Sequence, residues 1–153
     1  MKIYVLPRRE CEALAPRADT AVISITNPRQ KAAELEGWPY VLHLGFHDVD
    51  RPVPGWRAMM LVQARAILEF VDTLPRHIRV LVVHCEYANS RSPAVGQFLA
   101  AWLDGDHEWM GSGSPNGWVW NQMKLAARSY GWARPRHWKA LHRVGKAQAL
   151  VRH

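Results

Sequence analysis

A cysteine and an arginine six positions apart are the residues of this sequence best suited to carry chemistry. Cys85 follows an apolar run at 80–83, and Arg91 follows a loop of five residues and precedes a proline-containing helix pattern. A strand, a short loop and a helix start wrap successive backbone N–H groups around a concavity, where the positive end of the helix dipole also favours negative charge. The pattern predicts an anion-binding loop over residues 85–91.

The two side chains at the ends of this loop are suited to different parts of one reaction. The surrounding donors and Arg91 would favour the thiolate form of Cys85, which is the nucleophilic form of a cysteine. The planar guanidinium of Arg91 can hold two oxygens of a phosphoryl group, a geometry that lysine does not match. The predicted substrate-binding residues are those of the loop itself: Glu86, Tyr87, Ala88, Asn89, Ser90 and Arg91. The alternative is a core cysteine at a strand end and a surface arginine on a turn.

The loop and its flanks resemble the signature of the cysteine-dependent protein tyrosine and dual-specificity phosphatase superfamily, which is His-Cys, five residues, Arg, then Ser or Thr. The matching residues are His84, Cys85, Arg91 and Ser92, and Ser90 also fits the dual-specificity form of the loop. The resemblance implies hydrolysis of phosphomonoesters through a phosphocysteine on the cysteine, with no metal or other cofactor. The implied partner is a phosphorylated protein substrate, above all one that carries phosphotyrosine.

The resemblance is best over residues 40–103, and it extends more weakly to the N-terminal strands and to the segment PNGWVW at 115–120. These features are similar to those of small bacterial tyrosine-phosphatase-like proteins. One position departs from the family pattern. The family usually has glycine three residues after the cysteine, where this chain has Ala88, whose methyl group would crowd the loop or change its dihedral angle.

The resemblance also implies an upstream aspartate that protonates the leaving oxygen and later activates water. Asp48 and Asp50 follow an apolar run that ends near residue 46, on a loop bounded by proline and glycine. Parallel strands would deliver that loop to the same sheet edge as the cysteine loop. We prefer Asp48, which lies nearer the strand end; Asp50, or a turn-capping role for either residue, is the alternative. The Ser92 hydroxyl would donate a hydrogen bond to the sulfur as it leaves.

The remaining pattern predicts the elements that position these residues. Short β-branched runs predict strands at 2–6, 21–25, 40–46 and 79–84, and the last is apolar enough to be buried on both faces, as in parallel sheets. Helical periodicity covers 56–74, 93–103 and 117–128, with Asn116 as the N-cap of the last helix, whereas 104–115 is a polar break. We therefore predict an α/β fold: a central, mainly parallel sheet of four to five strands, flanked by helices in one domain over 1–153.

Composition excludes several classes of protein. At 153 residues, 48% hydrophobic and 22% charged, the chain is globular. The net charge of +7 lies in the tail, because residues 1–127 hold 13 basic and 13 acidic side chains and residues 128–153 hold seven basic and none acidic. A nucleic-acid footprint is therefore not predicted. The tail is predicted to form a weak basic helix that docks on the body, or alternatively binds an acidic partner.

Cysteine and histidine usage bears on location and cofactors. Cys11 and Cys85 cannot form a disulfide framework, and the sequence shows neither a signal-peptide core nor a membrane-length apolar run, so a cytoplasmic protein without membrane insertion is expected. The eight histidines are scattered, which argues against a metal site. Cys11 is predicted to be a bystander thiol, the alternative being disulfide protection of an oxidised Cys85.

Two other functions are compatible with the cysteine loop. A rhodanese-type sulfurtransferase also uses a cysteine in an anion-binding loop, but it needs no upstream acid. A phosphate-recognition module would bind a phosphoprotein without cleaving it, and Ala88 makes that alternative plausible. Trp38, Trp56 and Trp118 are candidates for the wall of a substrate cleft.

Overall fold

The computed structural model describes residues 1–129. This part of the chain forms five strands and four helices, with a helix between successive strands except between β2 and β3: β1 Lys2–Pro7, α1 Arg8–Glu12, β2 Thr20–Thr26, β3 Val41–Gly45, α2 Leu61–Asp72, β4 Val80–Cys85, α3 Arg91–Leu103, β5 Asp106–Trp109 and α4 Gly117–Ser129. The strands form one parallel sheet in the order β3-β2-β4-β1-β5. The predicted α/β class with a parallel sheet flanked by helices is confirmed.

The central strand, β4, explains the continuous apolar run before the cysteine. Leu81, Val83 and Cys85 face the larger core, which α2, α3 and α4 cover, whereas Val82 faces a smaller core that includes Cys11 of α1. Side chains of a strand alternate between the two faces of a sheet, so a strand covered on both sides is apolar at nearly every position. All five strands run the same way, so the residues that follow β2, β3 and β4 meet at one edge of the sheet.

The first helix of the larger core begins later than its periodicity predicts. The pattern predicts a helix from Trp56, but α2 begins at Leu61, with Met60 at its N-cap. The reason lies in the backbone of Arg57, whose N–H donates to His47 Nδ1 at 2.8 Å and whose carbonyl accepts from the His47 N–H at 2.7 Å. In a helix from Trp56 the Arg57 carbonyl would accept from the Leu61 N–H, but it accepts from His47 instead, so the helix begins later and the prediction was wrong over 56–60.

The sequence pattern also missed two short elements. The segment predicted as a polar break contains β5, whose residues pair with β1 from Lys2 to Val5. Its sequence, DHEW, has no β-branched residue, and the strand is defined by its ladder with β1 and by an ion pair of 2.6 Å between Lys2 Nζ and Glu108 Oε1. The other element, α1, spans five residues, which is too short to show a helical period.

Two further expectations concern the rest of the chain. The predicted basic helix of the C-terminal tail, and the choice between its docking and partner-binding roles, lie outside the described residues apart from the end of α4. Across residues 1–129, no helix is long and apolar enough to cross a membrane.

Candidate active site

The cysteine loop joins the carboxyl end of the central strand to the N-terminus of α3. Cys85 is the last residue of β4 and is 3% exposed. The hydroxyl of Ser92, in the first turn of α3, donates a hydrogen bond to Cys85 Sγ at 3.1 Å. The sulfur therefore lies at the base of the loop with a fixed donor, as the sequence predicts for a nucleophile that must also act as a leaving group.

The peptide units of the loop are held by their carbonyl oxygens. The Glu86 carbonyl accepts from the Arg8 N–H at 3.2 Å, the Ala88 carbonyl accepts from Trp109 Nε1, and the Ser90 carbonyl accepts from the Asn116 N–H at 2.9 Å. Each of these acceptors is bonded to another part of the fold, and none is available to face an anion bound at the loop.

The direction of the carbonyls determines the direction of the N–H groups. In a trans peptide the C=O and the following N–H point in opposite directions, so a carbonyl bonded outward turns the next N–H to the other side. No backbone N–H of residues 86–91 donates to an acceptor within the described residues. Successive N–H groups that have no protein acceptor and turn to one side can together bind an anion, and the outward bonds of the Glu86, Ala88 and Ser90 carbonyls turn the N–H groups of the next residues to the inner side of the loop.

The segment after β5 packs against the outer side of this loop. A side-chain carbon at Gly111 would lie within 3.0 Å of the Ala88 carbonyl oxygen, and one at Gly113 would lie 2.7 Å from the Asn89 carbonyl oxygen. Only glycine allows the two backbones to approach so closely. The strand that the sequence pattern missed is therefore part of what holds the loop in shape.

Ala88 stands where the resembled family usually has glycine, and it adopts the left-handed conformation that glycine favours. Its φ is +54° and its side chain is fully buried. A non-glycine residue in this region costs about 1–2 kcal/mol. The methyl group is accommodated, and the cost is a local strain that the packing of the loop must offset.

Arg91 is anchored by one nitrogen. Nη1 donates to Asn27 Oδ1 and to the Phe46 carbonyl, both at 2.8 Å, and the residue is 5% exposed. Nε is buried and has no partner among the described residues. An unsatisfied buried donor is rare in proteins and calls for an explanation. Two oxygens of a bound phosphoryl group would satisfy the edge formed by Nε and Nη2.

Asp48 is brought to the cysteine loop, as predicted for the general acid. Its Oδ1 accepts from Ser90 Oγ and from Asn116 Nδ2, each at 2.8 Å. Both donors engage the same oxygen, so Oδ2 is the atom able to present a proton. The alternative residue, Asp50, is exposed and makes no hydrogen bond with these groups within the described part of the chain.

Asn116 and Asn27 are site residues whose roles the sequence pattern did not reveal. Asn116 caps α4 as predicted, with Oδ1 accepting from the Val119 N–H at 3.0 Å, but its Nδ2 also holds Asp48. Asn27 follows β2 directly and positions Arg91. The position of Asn27 at the carboxyl end of a strand was an available signal. The bond from Asn116 Nδ2 to Asp48 depends on how α4 packs against the loop that carries Asp48. A local sequence pattern contains no information about that packing.

The other predicted loop residues lie around the mouth. Tyr87 is 71% exposed. The Glu86 carboxylate accepts from Gln30 Nε2 at 3.2 Å and lies 4.0 Å from Arg8 Nη1, so its charge is partly compensated. With its amide oriented so that donors face acceptors, Asn89 donates to the Ser112 carbonyl at 2.7 Å. These side chains shape the entrance and leave the base of the loop to the backbone.

Cys11 lies on the opposite face of the sheet from Cys85. It belongs to the smaller core and is fully buried, and both cysteines are free thiols. Burial, with a smaller contribution from Glu12, raises the pKa of Cys11 to about 12, so it remains a thiol at neutral pH. The sheet separates the two sulfurs, which favours the bystander interpretation over the disulfide alternative.

His84 is a buried structural residue. Its ring is fully buried on the α1 side of the sheet, with Nε2 2.7 Å from Ser24 Oγ and Nδ1 3.5 Å from the Cys85 carbonyl. Burial lowers its pKa from 6.5 to about 4, so the ring is neutral near pH 7. The side chain fixes the strand end by hydrogen bonds and carries no charge to the site.

The lowered pKa of His84 predicts a specific acid sensitivity. As pH falls below the ordinary value of 6.5, the unfolded chain binds the proton first, and the folded chain binds it only near pH 4. The stabilisation is therefore complete above about 6.5 and declines by up to about 3 kcal/mol toward pH 4. We expect His84→Gln to remove this component, which urea unfolding of both proteins across that pH range will measure.

His77 provides the matched control for this measurement, because it is exposed to water in the folded chain. His77→Gln should leave the acid sensitivity of the wild type unchanged. Parallel stability curves for the wild type and His84→Gln would contradict the prediction.

No family model, curated protein or solved structure matches this chain. The geometry of residues 85–91 and of the side chains that hold them is therefore what supports a function for the protein.

Proposed function

We propose that this protein is a cysteine-dependent phosphomonoester hydrolase, of the protein tyrosine or dual-specificity phosphatase type, that acts through a phosphocysteine intermediate on Cys85. One observation carries the proposal: a buried sulfur lies at the base of a loop whose N–H groups have no acceptor within residues 1–129. An upstream carboxylate at the same loop distinguishes this arrangement from a bare anion site.

In the first step, the Cys85 thiolate attacks the phosphorus of the bound ester. The S–P bond forms and the bond from phosphorus to the ester oxygen breaks, while Asp48 gives its proton to that oxygen. The loop N–H groups and the Nε edge of Arg91 hold the non-bridging oxygens, on which negative charge is concentrated during the transfer. The products are the free alcohol or phenol and a phosphocysteine.

In the second step, water attacks the phosphocysteine. Asp48, now a carboxylate, takes a proton from the water as the new P–O bond forms and the S–P bond breaks. The Ser92 hydroxyl stabilises the departing sulfur, from which it lies 3.1 Å in the resting site. Inorganic phosphate leaves, and Cys85 and Asp48 return to their starting states.

Phosphotyrosine in a protein is the substrate we propose for this site. Tyr87 at the mouth of the loop and Trp56 on the neighbouring loop are 71% and 58% exposed, and they offer flat faces to an aryl group. A phenolate is also a better leaving group than an alkoxide. A nucleophilic thiol requires a reducing compartment, so we propose a cytoplasmic location.

The test is phosphate release from p-nitrophenyl phosphate and from a phosphotyrosine peptide, combined with acid quenching during turnover. We expect release from both substrates, and a phosphoryl group on the peptide that contains Cys85. Sulfur transfer from thiosulfate to cyanide without phosphate release would indicate a rhodanese-type enzyme. Tight binding of the phosphopeptide without release would indicate a phosphate-recognition module.

A further inference from the structure

The 109–113 segment, at the end of β5 and just after it, holds the peptide that follows Ala88 in the cysteine loop. The indole N–H of Trp109 donates to the Ala88 carbonyl. This bond lies directly against the backbone of Gly111, where a side-chain carbon would lie within 3.0 Å of both the Ala88 oxygen and the Trp109 nitrogen. Because the Ala88 carbonyl is held outward, the N–H of the next residue is directed to the inner side of the loop.

The same segment also holds the peptide that precedes Ala88. With its amide oriented so that donors face acceptors, Asn89 donates to the Tyr87 carbonyl at 2.9 Å and to the Ser112 carbonyl at 2.7 Å. The Tyr87 carbonyl is therefore held outward by a side chain that is itself attached to the 109–113 segment, and the Ala88 N–H is directed inward. Both peptide planes beside Ala88 thus depend on contacts from outside the loop.

The conformation of Ala88 works against this arrangement. Its φ of +54° lies in the left-handed region, which is costly for a residue with a side chain. A rotation about its N–Cα bond to negative φ relieves that cost, and the rotation turns over the peptide between Tyr87 and Ala88. The Tyr87 carbonyl oxygen would then face the anion site, and the Ala88 N–H would leave it. Local backbone preference therefore favours a second conformation of the loop, one that repels an anion.

We propose that Trp109 and Asn89 are positioning residues, which hold the cysteine loop in its anion-binding conformation against the strain at Ala88. The inference rests on the proposed function, because the loop belongs to the proposed active site. Each side chain acts through a loop carbonyl, so it sets the fraction of molecules whose loop N–H groups face inward. The apparent affinity for an anion falls in proportion to that fraction. Ala88→Gly would make the two bonds dispensable, because glycine adopts positive φ without the cost.

The test is the affinity for inorganic phosphate, measured by calorimetry, together with KM and kcat for p-nitrophenyl phosphate. Trp109→Phe removes the N–H donor and keeps an aromatic ring, and Asn89→Ala removes the amide. For each variant we expect phosphate affinity to fall, and KM to rise, about fivefold to tenfold. The value of kcat should change much less, because bound substrate selects the binding conformation and Cys85, Arg91 and Asp48 are unchanged.

A second substitution distinguishes positioning from a general loss of stability. Ala88→Gly, added to Trp109→Phe or to Asn89→Ala, should return phosphate affinity and KM to within about twofold of the wild type. Ala88→Gly alone should leave both nearly unchanged. Gly111→Ala should reproduce the loss seen in Trp109→Phe, because its methyl group would displace the bond from Trp109 to Ala88.

The control is Trp120→Phe, which makes the same change in the larger core. Trp120 is buried, and its ring packs edge-on against Phe98 with centroids 5.3 Å apart. This variant should lose some stability but keep the wild-type phosphate affinity and KM, at a temperature where all the variants are folded. An equal loss of affinity in Trp120→Phe, or no loss in Trp109→Phe and Asn89→Ala, would overturn the proposal. So would a loss that Ala88→Gly does not reverse.

Phosphate binding and turnover separate this inference from the proposed function. Wild-type turnover with unchanged phosphate affinity in the variants would refute the positioning roles alone. The opposite result is a loss of phosphate affinity that Ala88→Gly reverses, in a protein that never turns over p-nitrophenyl phosphate. It would support the positioning roles and refute the hydrolase.

Discussion

Cys85→Ser should abolish turnover of p-nitrophenyl phosphate, by on the order of 10⁴-fold or more, while binding of a phosphotyrosine peptide persists. A serine hydroxyl is a far weaker nucleophile than a thiolate, and in the first step of the proposed mechanism Asp48 acts as the acid and does not take a proton from the nucleophile. The loop N–H groups and Arg91 remain in place, because they are held by contacts that do not involve the sulfur. Phosphate release and calorimetric binding measure the two effects separately.

The matched control is Cys11→Ala, which removes the other cysteine of the chain. Cys11 lies in the smaller core behind the sheet, so the variant should lose stability but keep its turnover number at a temperature where it is folded. Turnover by Cys85→Ser, or loss of peptide binding together with turnover in a folded protein, would contradict the role given to the sulfur.

Asp48→Asn should lower kcat by about 10²-fold to 10⁴-fold on phenyl phosphate, whose leaving group needs a proton. The loss should be smaller on p-nitrophenyl phosphate, because p-nitrophenolate departs readily without protonation. Asparagine keeps an oxygen that can accept the hydrogen bonds from Ser90 and Asn116, so the loop should retain its position. The ratio of the two losses therefore reports proton transfer and not misfolding.

Asp50→Asn is the control, since it makes the same change two residues away on the same loop. We expect near wild-type kcat on both substrates. If Asp50→Asn is the impaired variant, the acid has been assigned to the wrong carboxylate. If neither variant is impaired, the site has no upstream acid, which is what we would expect of a sulfurtransferase.

The parts of the site that are local in sequence were predictable. Strand β4, the five-residue loop, Arg91 and Ser92 are consecutive, and a strand end followed by a helix start forces their side chains and N–H groups into one small volume. The same is true of Asn116 as a helix cap, because a cap is a property of adjacent residues. The hydrophobic pattern was sufficient to predict the parallel sheet, because continuous apolar strands in a chain that also forms helices have few other stable arrangements.

The contacts that complete the site join distant parts of the chain. Asn27 reaches Arg91 across 64 residues and Ser90 reaches Asp48 across 42. Both depend on the strand order, which places β2 next to β4 and β3 next to β2. Arg57 shows the opposite failure, because its bonds to His47 replace the first turn of a helix that local periodicity favoured. A sequence pattern over neighbouring residues carries no information about backbone hydrogen bonds to distant segments, so it cannot predict such a change.

The place of each strand in the sheet sets how readily its segment opens. Strand β4 is bonded on both sides, so it exchanges its amide hydrogens only when most of the sheet comes apart, whereas β3 and β5 are edge strands that can fray alone. The proposed nucleophile, Cys85, thus ends the central strand, which has two hydrogen-bonded strands on each side. The proposed acid, Asp48, follows one edge strand and the segment that packs against Ala88 follows the other, so we expect heat or denaturant to abolish the proposed activity before it unfolds the domain.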